Sequence, residues 1–152
     1  MLRVKKKLPA AKHIRFILCE DARHEMSGKA TLVGVYPGEM IIVHQPTPPE
    51  GVKAVAALSS VCLVFFIAGG MGTFEVGVKI AAPDGTIGFE QKIGSISVKD
   101  GKTATIVGQI RPFVVKEFGR HKASLKIDGR EFPFAFTIRE GELHPQAAID
   151  VA

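Results

Sequence analysis

The stretch Thr73-Phe74-Glu75-Val76-Gly77-Val78-Lys79-Ile80 alternates strictly, with apolar Phe74, Val76, Val78 and Ile80 separated by Thr73, Glu75, Gly77 and Lys79. A period of two puts the apolar set on one face of a β-strand and the remainder on the other, a pattern no helix carries. Downstream, Pro83-Asp84-Gly85 is a turn signal leading into a strand over Thr86 to Ile93, and Lys99-Asp100-Gly101-Lys102 turns the chain into Ala104 to Ile110. Leu125 and Ile127, then Asp128-Gly129, then Phe132, Phe134, Phe136 and Ile138 read as a closing hairpin with three phenylalanines on its core face. Pro133 lies on the opposite face of that last strand and predicts an edge or a bulge, because proline donates no ladder hydrogen bond.

Upstream the same period recurs. Ile14, Phe16 and Leu18 share one face of a first strand, and Glu20 to Lys29 reads as a polar connection with a Ser27-Gly28 turn. A second strand covers Ala30 to Tyr36. Pro37-Gly38 then leads to Met40 to His44, apolar on both faces at Met40, Ile41, Ile42 and Val43, which predicts a central strand or one covered by a neighbouring subunit. Pro46, Pro48, Pro49 and Gly51 make the next stretch an irregular loop. Ala54 to Phe74 carries no charge and is about as long as the ~20 residues a bilayer-spanning helix needs. Ser59 and Ser60, the glycines at 69, 70 and 72, and the β-branched and aromatic centre Val61 to Ile67 predict instead a buried strand over Val55 to Ile67 and a glycine-rich turn, with no membrane span.

About eight or nine strands with short connections and no amphipathic helix predict an all-β chain. The expected architecture is a two-sheet antiparallel sandwich, immunoglobulin-like in broad outline. At 152 residues, 46% apolar and 23% charged, the chain has the length and composition of one globular domain with its own core. We place that domain at residues 12–140, between a basic N-terminal arm, 1–11, and a C-terminal tail, 141–152, that lacks any period. Two cysteines, Cys19 and Cys62, are too few for a disulfide scaffold or a cysteine-based zinc site.

Charge is distributed unevenly. Arg3, Lys5, Lys6, Lys7, Lys12 and Arg15 all precede the first acidic residue, Glu20, so twenty basic residues less these six leave fourteen against fifteen acidic ones in the rest. A basic arm on a neutral body suggests an electrostatic tether, formed by Arg3, Lys5, Lys6, Lys7 and Lys12, for phosphate, an acidic protein or a lipid headgroup. Sequence-specific nucleic-acid recognition is not expected, since the alternation buries Phe16, the one aromatic near the arm. The apolar stretch after the arm, Ile14 and then Phe16 to Cys19, is shorter than the ~7 to 15 residues of a signal-peptide core. The expectation is a cytoplasmic or virion protein without a signal peptide.

Candidate chemistry centres on residues 19–25, where Cys19, Asp21, His24 and Glu25 cluster and admit a metal- or Cys/His-dependent enzyme. The simpler reading is an ion-paired turn in which Arg23 bridges Asp21 and Glu25. The five histidines lack zinc-site spacing, and Gly69-Gly70-Met71-Gly72 lacks the Lys-Ser/Thr of a phosphate loop, so it reads as a turn. Arg120, His121 and Lys122 read as a second basic spot in the loop before the closing hairpin. No metal, cofactor or catalytic residue is assigned.

Glu20-Asp21-Ala22-Arg23-His24-Glu25, followed by Gly28-Lys29-Ala30-Thr31-Leu32-Val33-Gly34-Val35-Tyr36, resembles the opening of an uncharacterised domain family of bacterial and phage proteins, and Leu125 to Ile138 is similar to its closing hairpin. That family opens on an acidic-Asp-x-Arg-x-Glu turn and a Gly-Lys-x-Thr-Leu-x-Gly-x-Tyr strand. The resemblance covers both ends of the domain and implies a sandwich fold in which Glu20, Asp21, Arg23, Glu25, Gly28 and Lys29 have a structural role. It implies no activity. Together with the arm it suggests a non-catalytic assembly module, a phage or prophage structural protein, whose partners are other subunits, copies of itself included, or nucleic acid bound without sequence preference. The alternatives are the small enzyme centred on residues 19–25 and a cytoplasmic module for a small ligand or regulatory partner.

Overall fold

The computed structural model describes residues 5–44, 50–51 and 56–141. Among them are eleven strands: β1 (Ile14–His24), β2 (Ala30–Val35), β3 (Met40–Val43), β4 (Ala56–Leu58), β5 (Val61–Ile67), β6 (Gly72–Ala81), β7 (Ile87–Val98), β8 (Ala104–Ile110), β9 (Phe113–Val115), β10 (Gly119–Ile127) and β11 (Arg130–Glu140). Two single 3-10 turns, Ala11–His13 and Pro37–Glu39, complete the inventory; no helix of these residues is long and apolar enough to cross a membrane. The strands form a four-stranded sheet in the order β2-β1-β5-β8, a five-stranded sheet β3-β11-β10-β6-β7 and a small pair β4-β9. All-β character is thus as the alternation predicts.

One contiguous core joins the two large sheets. The odd-numbered residues of β5 (Val61, Leu63, Phe65 and Ile67) and Leu18 of β1 meet Phe74, Val76, Val78 and Ile80 of β6 and Ala123, Leu125 and Ile127 of β10. Phe16 and Phe65 stack at 5.2 Å between ring centroids, and Phe134 of the facing sheet lies 5.4 and 5.6 Å from them. These are favourable aromatic separations, so this cluster ties β1, β5 and β11 together.

Several expectations are corrected. The first connection is shorter than predicted, because β1 continues through Asp21 and Arg23 to His24, pairing Asp21 with Val33 and His24 with Ala30. Polar residues are accepted there because β2 is a sheet edge facing water. The apolar strand predicted over Val55 to Ile67 breaks at Ser59-Ser60 into β4 and β5; Val55 itself lies outside the described residues, as does most of the proline loop. With the three-residue β9 opposite β4, that break raises the count from eight or nine to eleven. Met40–Val43 is an edge strand, not a central one: among the described residues it pairs only with β11, Ile41 and Val43 face the core, and Ile42 is exposed.

That pairing is parallel, so the sheets are mostly rather than wholly antiparallel. The chain leaves the four-stranded sheet after β2 and reaches the other through the Pro37–Glu39 turn, arriving in the direction of β11. Pro133 sits in a strand that is internal by order, yet β3 pairs only with Thr137 to Glu140, so at Pro133 one side of β11 has no strand partner among the described residues. A missing N–H costs nothing there. Arg120, His121 and Lys122 belong to β10 rather than to a loop, and His121 is buried on its inner face.

Candidate nucleic-acid interface

Topology brings the N-terminal stretch and the β5–β6, β7–β8 and β10–β11 turns to one end. The N-terminal stretch is not a free arm from residue 5 onward. Lys7 and Met71 exchange backbone hydrogen bonds of 2.8 and 2.9 Å, an added rung of antiparallel pairing between the arm and the turn that joins β5 to β6. Pro9 is buried against Gly70, and the His13 carbonyl accepts from the Ala68 N–H at 3.0 Å. Lys6 forms an ion pair with Asp128 in the β10–β11 turn, and its ammonium lies 5.1 Å from the Phe74 ring centroid. Arg3 lies outside the described residues.

The β7–β8 turn joins the same end, because Gly72 pairs with Val98 and Ile67 with Ala104. Exposed Lys99 and Lys102 therefore flank the segment holding exposed Lys5, Lys7 and Lys12. Six lysines, counting Lys6, gather here, with Asp100, Asp128 and Glu75 among them. With Lys6 taken up by Asp128, five lysines face solvent without an ion pair among the described residues. Lys99 and Lys102 are the contributors that sequence reading missed: they were read as turn residues, and only the register of β6 with β7 and of β5 with β8 places them beside the arm.

Gly69 makes the closure possible. Its φ is +74°, and a Cβ there would fall against the His13 imidazole. Gly69→Ala therefore adds a left-handed alanine and a clash, and is expected to cost about 1–3 kcal/mol. Amide exchange at Lys7 and Met71 should accelerate more than at β10; unchanged exchange at both would show that the loop does not hold the arm.

Asp128 is the electrostatic clamp. Its carboxyl is held below the ordinary aspartate range, first by the hydrogen bond from the Lys6 ammonium and then by the Glu75 N–H, which donates to Oδ1 at 2.8 Å. A carboxylate with a lowered folded pKa adds stability above its unfolded value and loses it as pH falls through the folded one, so this clamp weakens in acid. In Lys6→Ala the Asp128 titration should move up toward the ordinary range, read by carboxyl-carbon NMR. An unmoved midpoint would contradict the assignment.

The residue 19–25 cluster is distributed differently. Asp21 is a hub on the outer face of the four-stranded sheet: Arg111 donates to its Oδ1 at 3.2 Å, Gln109 donates to the same oxygen at 3.2 Å, and Arg23 Nε lies 3.5 Å from Oδ2. Ser60 accepts from Gln109 and Arg111 at 3.4 and 3.3 Å. Arg23 does not bridge to Glu25, whose carboxylate instead accepts from the Thr31 hydroxyl. Gly28 and Lys29 complete the β1–β2 turn, and the Glu25 N–H bonds the Lys29 carbonyl at 2.9 Å. Glu20 lies over Gly34 of β2. Arg111, Gln109 and Ser60 could not be tied to Asp21 from sequence, because they come from β8 and its flanks and from the break before β5.

Cys19 and Cys62 face one another across β1 and β5, both fully buried and both free thiols. Burial foremost, then Cys62 and Asp21, pushes the Cys19 thiol up to about 11. A thiol so raised is protonated at neutral pH. No group of three or more His, Cys, Asp and Glu gathers at metal-holding geometry among the described residues.

No family model matches the chain. No curated protein matches it either. Among solved structures it is similar to the Pseudomonas fluorescens alkylpurine DNA glycosylase AlkC bound to DNA containing an abasic site analog, at a TM-score of 0.44 and 12% identity over 84% of this chain. The chain spans 30% of the length of that protein, and a likeness of this size carries no argument here.

Proposed function

We propose that the protein is a non-catalytic interaction module, an immunoglobulin-like sandwich in broad architecture, that presents one basic end to the phosphate backbone of nucleic acid. The observation that supports it is the convergence of Lys5, Lys7, Lys12, Lys99 and Lys102 on one end, leaving the remainder close to neutral. Lysine ammonium groups act as point charges rather than bidentate readers of base edges, so the expected binding is electrostatic and indifferent to sequence. In an assembly, this end would hold the module against packaged or bound nucleic acid while sheet edges remain available to other subunits.

The reading is tested by adding a short DNA duplex of mixed sequence to isotope-labelled protein and following amide shifts. Residues 5–13, 68–71 and 99–103 should move together, with the opposite end at 82–86 and 111–118 still. Shifts confined to residues 5–12, or scattered over the surface, would contradict a built interface. An acidic peptide that shifts the same residues more strongly than DNA would replace nucleic acid by an acidic protein as the partner.

A further inference from the structure

At the end opposite the lysines a cavity of about 330 Å³ lies between β6, β7, β8 and β10, next to β9. Its walls include Ile80, Phe89, Ile110 and Phe113, with Lys116 and Glu117 also lining it. Size and composition are those of a small-molecule site: ~300–1,000 Å³, mainly apolar, with few polar groups. The buried polar group is His121, 4% exposed, which belongs to the inner-facing series of β10 with Ala123, Leu125 and Ile127.

The imidazole is fixed from three sides. It stacks on Phe136 at 5.2 Å and 18°, meets Phe113 edge-on at 6.5 Å, and its Nδ1 lies 3.0 Å from the Gly119 carbonyl oxygen. A carbonyl only accepts, so Nδ1 carries the proton and donates. With Nδ1 engaged by that carbonyl, Nε2 is the ring nitrogen left to meet an occupant of the cavity that His121 lines. A polar group on the occupant within reach of that nitrogen would hydrogen-bond it, while a charged occupant would lose its hydration against Ile80, Phe89 and Ile110.

The geometry points to a binding site for a small, uncharged aromatic alcohol, its ring among Phe89, Phe113 and Ile110 and its hydroxyl hydrogen-bonded to His121 Nε2. Since a cavity of ~150 Å³ admits one benzene ring, the volume here suits two fused rings. The site is independent of the lysine end in position and in chemistry.

The test uses 2-naphthol with the full-length protein, followed by naphthol fluorescence and by His121 ring-proton NMR, against 2-methylnaphthalene and 2-naphthoate. Naphthol should bind saturably at one equivalent and shift the His121 ring, while methylnaphthalene, lacking the donor, binds at least about tenfold more weakly. His121→Phe keeps a ring to stack on Phe136 and should bring naphthol down to the methylnaphthalene level. Because the ligand comparison needs only the unaltered chain, misfolding of the variant leaves the test intact. Equal affinity for naphthol and methylnaphthalene, preference for naphthoate, absence of saturable binding, or shifts that bypass His121 would each overturn the assignment.

Discussion

Replacing Lys99 and Lys102 together by glutamine is expected to weaken binding to duplex DNA about a hundredfold at ~50 mM salt, although neither residue belongs to the basic N-terminus. Each phosphate neutralised by a lysine releases about 0.9 of a condensed counterion, which is worth roughly a factor of ten at that salt concentration. Both side chains are exposed and lie in a turn, where a neutral amide is tolerated without disturbing the core. Thermal stability should therefore hold while affinity falls, and fluorescence anisotropy alongside a melting curve separates the two. If the N-terminal stretch acted alone, the double variant would bind as the parent does. The effect follows from topology: β7 ends beside the start of β6, and β8 begins beside the end of β5.

Phe65→Ala is expected to cost about 3–5 kcal/mol, enough to unfold a large fraction of a domain of ordinary stability. Phe65 is fully buried in the middle of β5 and belongs to the three-ring cluster with Phe16 and Phe134, so truncation opens a cavity that rigid strands on both sides cannot close. Phe66, its neighbour on the outer face, is only partly buried. Phe66→Ala should cost well under half as much. Urea denaturation of both variants tests the comparison; equal losses would mean that the core does not lie where β5 places Phe65.

The strands could be read from alternation because period two reports which residues face the core, and β6, β8 and the closing hairpin all display it. What alternation does not report is the partner of a strand. Met40 to Val43 is apolar at every position and reads as a central strand or as one covered by a neighbouring subunit; it lies at an edge with Ile42 exposed, which removes the first of these. Pro133 was legible as an edge signal, but the strand holding it is an edge only along the half that β3 does not reach. The polar extension of β1 was hidden for a related reason: Asp21 and Arg23 look like turn residues until β2 pairs with them.

The site was legible by half. The concentration of charge in the first fifteen residues is visible by counting, but its attachment is not, since the Lys7–Met71 rung and the Lys6–Asp128 pair each join residues more than sixty positions apart. Attachment changes the chemistry expected. A free arm adapts to any anion, whereas lysines fixed on two separate segments present a surface of set spacing. His121 was misplaced for the same reason, because Arg120, His121 and Lys122 form a polar triplet in sequence while the strand turns the middle one into the core.

The most direct measurement is the salt dependence of duplex DNA affinity for the unaltered protein. Five unpaired lysines acting together predict a slope of about −4.5 in log K against log salt, or roughly a five-hundredfold loss between 50 and 200 mM. A slope near −3 or shallower would mean that the lysines do not engage as one surface, and no binding at 50 mM would contradict the proposed function itself.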